Sequence, residues 1–277
     1  MDCFKDYIAQ RPEQDRDIAY TLALRREHLP HRTFAVAQDG EFVETPMPAK
    51  APGAELSITM IFSGQGAQWP GMGRELILSN ASFREDIIHM DSVLQGLRMP
   101  PRWSLFGKCF LSAIGPQRTN SDTDELLKSD ETSQVHRAEL AQPLSTALQL
   151  ALVRQFKKVG VTPSAVVGHS SGEIAAAYTA GYISLEYAIT LAYYRGYVAT
   201  HGMAVQSGGM MAAVGLGAAD VARFLQPGSS VACENSPSST TISGDVKAVQ
   251  NALAAIQLEH PGILARPLKV DVAYHSC

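Results

Sequence analysis

The chain has 277 residues, of which 45% are hydrophobic and 18% charged, and its formal net charge is −4. This length allows one large domain or two smaller ones, each with a core of its own. The mildly acidic balance excludes the basic surface that binding to nucleic acid or to an acidic membrane requires.

The start of the chain lacks the apolar segment of a signal peptide, and no apolar run approaches the ~20 residues that span a bilayer. The four cysteines (Cys3, Cys109, Cys233 and Cys277) are scattered without a C-x-x-C pair. This spacing argues against a metal site or a disulfide framework and is typical of a reducing compartment. We therefore predict a soluble, cytoplasmic protein without a bound metal.

The first 50 residues differ in their residue pattern from the rest of the chain. Residues 18–26 predict a helix with a basic last turn, residues 31–37 a short strand, and residues 45–53 a Pro-rich linker. This block is too short to hold a core of its own, so we expect it to pack on a neighbour.

The first core strand is predicted over residues 56–62, and a Gly-rich turn follows over residues 63–69. Ligands of open α/β sheets bind at the carboxyl ends of the strands, so this turn can offer a backbone amide to an oxyanion. It is not a phosphate-binding loop, because the Lys-Ser/Thr pair of that motif is missing. Taken alone, a turn of this kind is more often a plain connection between two elements.

Residues 74–98 predict an amphipathic helix, and residues 123–156 again have a helical pattern. Between them, residues 106–122 have no sustained period, and we interpret this stretch as an irregular surface insertion.

A short apolar run over residues 165–168 ends in a G-x-S-x-G motif from Gly168 to Gly172, and an Ala-rich helical segment follows. A strand, a sharp turn and a helix in this order form an elbow that exposes a hydroxyl, here that of Ser170. The alternative is a turn that merely joins two buried elements. Because the flanking strand and helix are both present, Ser170 is the best nucleophile candidate in the chain.

A further helix, over residues 185–200, carries Arg195 among apolar and aromatic residues. Two alternatives are open for this side chain. It extends along the apolar surface to solvent, which is the commoner fate, or it binds an anion such as a carboxylate through its planar fork.

Residues 208–270 have a separate β-α-β-β-α-β rhythm, which is the split βαβ arrangement of ferredoxin-like folds. The predicted strands are 210–216, 230–233, 240–243 and 265–272, and the predicted helices are 218–225 and 246–256.

His275 is predicted to follow the strand over residues 265–272, where an imidazole can act as a general base near neutral pH. Taken alone, a histidine at such a place is more often an ordinary surface polar residue. His169 stands out among the remaining histidines because it directly precedes Ser170.

Four motifs occur together in one order: residues 64–68 (GQGAQ), 168–173 (GHSSGE), 194–196 (YRG) and 273–276 (AYHS). In this combination the chain resembles the malonyl-CoA:acyl carrier protein acyltransferase family, and most closely the acyltransferase domain of fungal reducing polyketide synthases. The resemblance covers nearly the whole chain except about residues 106–122.

The resemblance implies an α/β fold, with an α/β-hydrolase-like large subdomain and an inserted ferredoxin-like small subdomain. It implies four segments: a remnant of the ketosynthase-to-acyltransferase linker, the large subdomain, the small subdomain, and a return to the large subdomain. Their expected bounds are residues 1–52, 53–207, 208–270 and 271–277.

The same resemblance implies roles for individual residues. Ser170 would be the acylated nucleophile and His275 its general base. The backbone amides of Gln65 and Ser171 would form the oxyanion hole. Arg195 would bind the free carboxylate of a malonyl group, and the other substrate-binding residues would be His169, Tyr274 and Asn235.

The implied reaction is ping-pong. Malonyl-CoA loads the serine, CoA leaves, and the phosphopantetheine thiol of an acyl carrier protein takes the acyl group. No nucleotide, metal or prosthetic group is expected to be bound, and the implied partners are the carrier protein and a ketosynthase domain. The bulk of Tyr274, just before the base, favours malonyl over methylmalonyl.

Family members continue beyond the catalytic histidine, whereas this chain ends two residues after His275, so we expect a truncated domain. Two alternatives therefore stand beside the acyltransferase. One is a non-catalytic fragment that keeps only a docking surface for a carrier protein or another partner. The other is an α/β serine hydrolase of lipase or esterase type, against which Arg195 and the ferredoxin-like insert argue.

Overall fold

The computed structural model describes residues 2–38, 41–44, 46–53, 56–106, 133–201, 209–268, 270 and 273–276. The chain divides into two compact units, residues 1–57 and residues 58–277. Much of the stretch predicted as an irregular insertion, residues 107–122, lies outside the described residues.

The first unit consists of short elements. Helices α1 (Asp2–Ala9) and α2 (Asp15–Leu24) flank a single 3-10 turn, and two antiparallel pairs of strands follow. β1 (His31–Arg32) pairs with β4 (Ala49–Lys50), and β2 (Val36–Gln38) pairs with β3 (Glu41–Glu44). The strand predicted over residues 31–37 is therefore two strands, and the predicted Pro-rich linker contains β4.

The second unit begins with a parallel pair of strands, β5 (Thr59–Phe62) and β6 (Ala165–Gly168). Thr59 pairs with Ala165 and Phe62 with Gly168, so both strands end at the same edge. The Gly-rich turn follows β5 at this edge and the G-x-S-x-G elbow follows β6. Parallel pairing thus brings two motifs that are a hundred residues apart in sequence to one place.

Five helices of the second unit pack together: α3 (Arg74–Ser79), α4 (Ala81–Gln95), α5 (Ala138–Lys158), α6 (Gly172–Thr179) and α7 (Leu185–His201). Their shared core contains fully buried side chains such as Phe83, Leu144 and Ile189. The single helix predicted over residues 74–98 is wrong. The backbone of Asn80 is extended and interrupts the predicted helix. The side chain of Asn80 accepts a hydrogen bond from the amide of Phe83 and so caps the start of α4.

The last part of the unit is a four-stranded antiparallel sheet with two helices. Its elements are β7 (Gly209–Val214), α8 (Ala218–Ala222), β8 (Ser229–Ser236), β9 (Ser239–Asp245), α9 (Val246–Glu259) and β10 (Ala265–Pro267). The strand order is β10-β7-β9-β8. The six elements occur in the predicted order. β10 ends at Pro267, which has no amide hydrogen to donate, although the amide of Leu268 still donates to the carbonyl of Met211 at 2.8 Å. Residues 269, 271 and 272 of the predicted last strand lie outside the described residues.

Glycines let backbone segments meet at the elbow without an intervening side chain. A Cβ atom at Gly172 would lie 2.2 Å from the carbonyl oxygen of Phe62, and one at Gly168 would lie 2.4 Å from the Cα of Glu173. The start of α6 therefore rests directly on the end of β5.

We predict that Gly172→Ala lowers the free energy of unfolding by about 3 kcal/mol, the upper range for overpacking, because the atoms that clash are backbone atoms. Gly96→Ala is the matched control. Gly96 has a right-handed φ of −84°, and a Cβ there would meet its nearest neighbour at 3.4 Å, so the expected change is within about 0.5 kcal/mol. Denaturant unfolding followed by circular dichroism measures both, and equal stabilities of the two variants would contradict the prediction.

Candidate active site

Ser170 stands at the turn between β6 and α6 in a backbone conformation that is rare for a residue with a side chain. Its φ is +52°, in the left-handed region, which costs on the order of 1–3 kcal/mol and persists only where the surroundings enforce it. The amide of Gly172 donates to the carbonyl of His169 at 2.9 Å and holds the turn. Ser171, which is buried, precedes the first residue of α6. This is the geometry of a nucleophile elbow.

His275 lies beside the nucleophile candidate. Its Nε2 is 2.8 Å from Ser170 Oγ, within the range in which a base can accept a hydroxyl proton. The end of the predicted strand before His275, residues 271 and 272, lies outside the described residues. Tyr274 and His275 form a turn, and the φ of His275 is +58°. The turn is held close to β7, because a Cβ at Gly209 would lie 2.4 Å from the Cβ of Ala273.

The surroundings of His275 favour its neutral form. Burial lowers the pKa of the imidazole, and the positive charge of Arg195 and the nearby His169 lower it further, while Glu173 opposes them. A neutral imidazole in the tautomer that carries its proton on Nδ1 can accept the hydroxyl proton at Nε2.

Arg195 points inward to the nucleophile rather than out to solvent. Its Nη2 donates to Ser170 Oγ at 3.3 Å, and its Nη1 donates to Gln142 Oε1. Its Cζ lies 5.5 Å from the centre of the Tyr274 ring. Of the two sequence-based alternatives, extension to solvent is therefore wrong.

No carboxylate of the described part of the chain forms an ion pair with Arg195. Burial lowers the pKa of its guanidinium, against the smaller opposite effects of Tyr274 and Glu173. A guanidinium nevertheless stays protonated in proteins. A partly buried cation that is bonded to neutral oxygens is a suitable binding partner for an anion.

A cleft of about 120 Å³ opens above Ser170. The elbow, the Gly-rich turn, α5 and the last described turn of the chain line it on one side, and the antiparallel sheet with the residues after β10 lines it on the other. The lining residues are Gln65, Gln142, His169, Ser170, Met211, Cys233, Asn235, Thr241, Leu268, Val270, Tyr274 and His275.

The structure brings most of the predicted site residues to this cleft. Gln65, His169, Asn235 and Tyr274 line it together with Ser170 and His275. Arg195 is not among the lining residues but hydrogen-bonds two of them, and Ser171 follows the nucleophile directly. Asn235 also donates to Thr241 Oγ1 at 3.1 Å.

Sequence reasoning missed the remaining lining residues. Met211, Cys233, Leu268 and Val270 are indistinguishable from core residues when the sequence alone is considered. Gln142 is a polar residue among the mostly apolar positions of α5, but its burial, with 1% of the side chain exposed, is visible only in the structure.

The Gly-rich turn lies against the elbow. A Cβ at Gly64 would be 2.7 Å from the carbonyl oxygen of His169 and 3.0 Å from the Cβ of Ser170. Gly64 therefore contacts the elbow directly, and Gln65 is the next residue in the chain.

Within the described ranges, the protein has no group of three or more His, Cys, Asp or Glu residues placed to hold a metal ion. Nor do the helices seen there include one of the length and apolarity needed to cross a membrane.

The acyl transferase domain family model matches residues 117–277. The highly reducing polyketide synthase VdtX of Byssochlamys spectabilis is 45% identical over 270 residues, which cover 98% of this chain and 11% of the synthase. The chain thus spans about a tenth of the length of that relative.

Two solved structures share the fold. The acyl transferase domain of SpnD, in complex with 2-(pent-4-yn-1-yl)malonyl, matches with a TM-score of 0.73 at 25% identity, over 98% of this chain and 60% of the other. The malonyl CoA-acyl carrier protein transacylase of Coxiella burnetii matches with a TM-score of 0.61 at 27% identity, over 78% and 62% of the two chains. A serine elbow with a histidine at hydrogen-bond distance, a mixed α/β fold shared with these enzymes and a family match over more than half of the sequence agree: the chain belongs to the acyl transferase domain family.

Proposed function

We propose that this chain transfers a malonyl group from malonyl-CoA, through an ester on Ser170, to the phosphopantetheine thiol of an acyl carrier protein in polyketide synthesis. One observation carries the proposal: the cationic side chain of Arg195, without an acidic partner in the described ranges, donates a hydrogen bond to the nucleophile candidate. A serine hydrolase of neutral esters has no use for a cation at this position. The assembled Ser170–His275 pair favours an enzyme over a non-catalytic docking fragment.

The proposed architecture is an α/β-hydrolase-like large subdomain with a ferredoxin-like insertion. The parallel strands β5 and β6 and helices α3 to α7 support the α/β-hydrolase-like large subdomain. The β-α-β-β-α-β order and the sheet order β10-β7-β9-β8 support the ferredoxin-like insertion. We assign the linker remnant, the large subdomain, the small subdomain and the return segment to residues 1–52, 53–207, 208–270 and 271–277.

The first half-reaction forms the acyl-enzyme. His275 Nε2 takes the hydroxyl proton as Ser170 Oγ attacks the thioester carbonyl, so that a C–O bond forms. The backbone amides of Gln65 and Ser171 stabilise the negative charge that develops on the carbonyl oxygen. The C–S bond then breaks, and the proton on His275 passes to the departing CoA thiolate.

The second half-reaction reverses these steps with a different thiol. His275 takes the proton of the phosphopantetheine thiol, the sulfur attacks the ester, and the Ser170 Oγ leaves with the proton. Both thiols come from the substrates, so the chain supplies the nucleophile, the base and the oxyanion donors, with no bound cofactor. The carrier protein and a ketosynthase domain are the proposed partners.

Acyl-group selection is assigned to the residues around the carboxylate. Arg195 binds the free carboxylate of malonyl through charge-assisted hydrogen bonds, which are about twice as strong as neutral ones. Tyr274 lies next to Arg195 and its bulk restricts a substituent on the α-carbon. His169 and Asn235 line the same cleft and are proposed to contact the acyl group or the pantetheine arm.

Brief exposure to malonyl-CoA followed by intact-mass spectrometry tests the proposal. We expect a malonyl adduct on the wild type, none on Ser170→Ala, and an acylation rate at least about tenfold lower for Arg195→Ala, because a hydrogen bond to a charged group is lost. Arg223→Ala is the matched control, since this arginine pairs with Glu259 on the surface. An adduct that survives in Ser170→Ala would refute the assignment.

The lowered pKa of His275 gives a pH dependence. Attack by Ser170 requires the neutral imidazole, so the rate falls as the pH drops through the pKa of the folded enzyme. Because burial and Arg195 lower that pKa, the midpoint should lie below the ordinary value of about 6.5. Labelling of Ser170 with a neutral fluorophosphonate at a series of pH values measures it.

Two variants accompany this profile. Arg195→Ala should move the midpoint up towards 6.5 because it removes one positive charge. His89→Gln, which changes an exposed histidine that pairs with Glu186, should leave it in place. A wild-type midpoint at or above 6.5 would show that the environment of His275 is not the one described.

A further inference from the structure

Arg195 is the start of a chain of side-chain hydrogen bonds that runs along the floor of the site. Its Nη1 donates to Gln142 Oε1, and Gln142 Nε2 donates to Gln65 Oε1 at 2.6 Å. A guanidinium has donors only, so the Gln142 atom that faces it must be oxygen, and the amide nitrogen must face Gln65. The direction of both carboxamides therefore follows from the arginine.

Gln142 is firmly held in this place. It is 1% exposed in the second turn of α5. Helices α5 and α7 approach each other closely beside it, because a Cβ at Gly196 would lie 2.7 Å from the carbonyl oxygen of Ala138 and 3.3 Å from the Cβ of Gln142. Gly196 directly follows Arg195, so this contact sets the distance between the two hydrogen-bonded side chains.

The neutrality of Gln142 matters for the charge of the site. A glutamate has the same shape and would also accept from Arg195, but it would cancel the positive charge. A carboxamide orients the guanidinium and leaves its charge available to a ligand.

We propose that Gln142 is a positioning residue that makes the site selective for acyl groups that carry a carboxylate. It holds Arg195 beside Ser170 with a neutral acceptor, so that the substrate supplies the negative charge. This inference rests on the proposed function, since it deepens the part assigned to Arg195.

Gln142→Glu tests the effect of a negative charge beside Arg195 separately from the effect of losing hydrogen bonds. The glutamate can keep its bond to Arg195, and Gln65 can keep its bond by turning its carboxamide so that Nε2 faces the new oxygen. In the present structure Gln65 Nε2 is buried and has no hydrogen-bond partner in the described part of the chain. Gln142→Leu, by contrast, removes both bonds.

The experiment measures acylation of Ser170 by malonyl-CoA and by acetyl-CoA over a range of concentrations. For Gln142→Glu we expect the malonyl-to-acetyl ratio of kcat/KM to fall at least about tenfold, mainly through a higher KM for malonyl-CoA. Gln134→Glu is the matched control, because Gln134 Oε1 accepts a hydrogen bond from the exposed Arg137 Nη1 at 2.9 Å outside the cleft, so the exchange keeps that bond and adds the same charge. It should leave the ratio within about twofold.

The outcomes separate the two proposals. A wild type that is malonylated, with a Gln142→Glu variant of unchanged ratio, overturns the role of Gln142 alone. A parallel loss of both substrates in Gln142→Glu and Gln142→Leu also overturns it, because the residue is then merely structural. A wild type that takes acetyl but not malonyl refutes the proposed function itself.

Discussion

The site depends on one backbone contact. The first turn of α6 rests on the carbonyl end of β5 at a distance that only glycine permits, as the 2.2 Å between a Cβ at Gly172 and the oxygen of Phe62 shows. This contact fixes the turn between β6 and α6, keeps Ser170 in its left-handed conformation, and brings the Gly-rich turn against it. Strain at the nucleophile is stored because the packing around it is rigid.

Electrostatics adds a second constraint. Arg195 and His275 both face Ser170, so a cation and a base share one small region. The cation helps to keep the imidazole neutral, and a neutral imidazole is the form that a general base needs. The cation that we propose to bind an anionic acyl group thus also favours the form of His275 that can act as a base.

How far the sequence predicts this structure depends on how local the information is. The elbow was predictable because strand, glycines, serine and helix lie within one short stretch, and the β-α-β-β-α-β order follows from alternating local patterns. The direction of Arg195 was open, because a helix pattern does not say which neighbour fills the space around a long side chain. Gln142 was missed because its role exists only where α5 meets α7. The turn of Tyr274 and His275 was missed because no local sequence pattern marks it.

The central claim is that the hydroxyl at the elbow, activated by His275, is the nucleophile. Cys233 lines the same cleft and is the alternative nucleophile. Burial raises the pKa of its thiol, so the thiol stays protonated. Among the described residues, His275 is hydrogen-bonded to Ser170 and not to Cys233. Peptide mapping by tandem mass spectrometry after exposure to malonyl-CoA compares the two directly. The account predicts the malonyl group on Ser170 with Cys233 unmodified, and a malonyl group on Cys233 would contradict it.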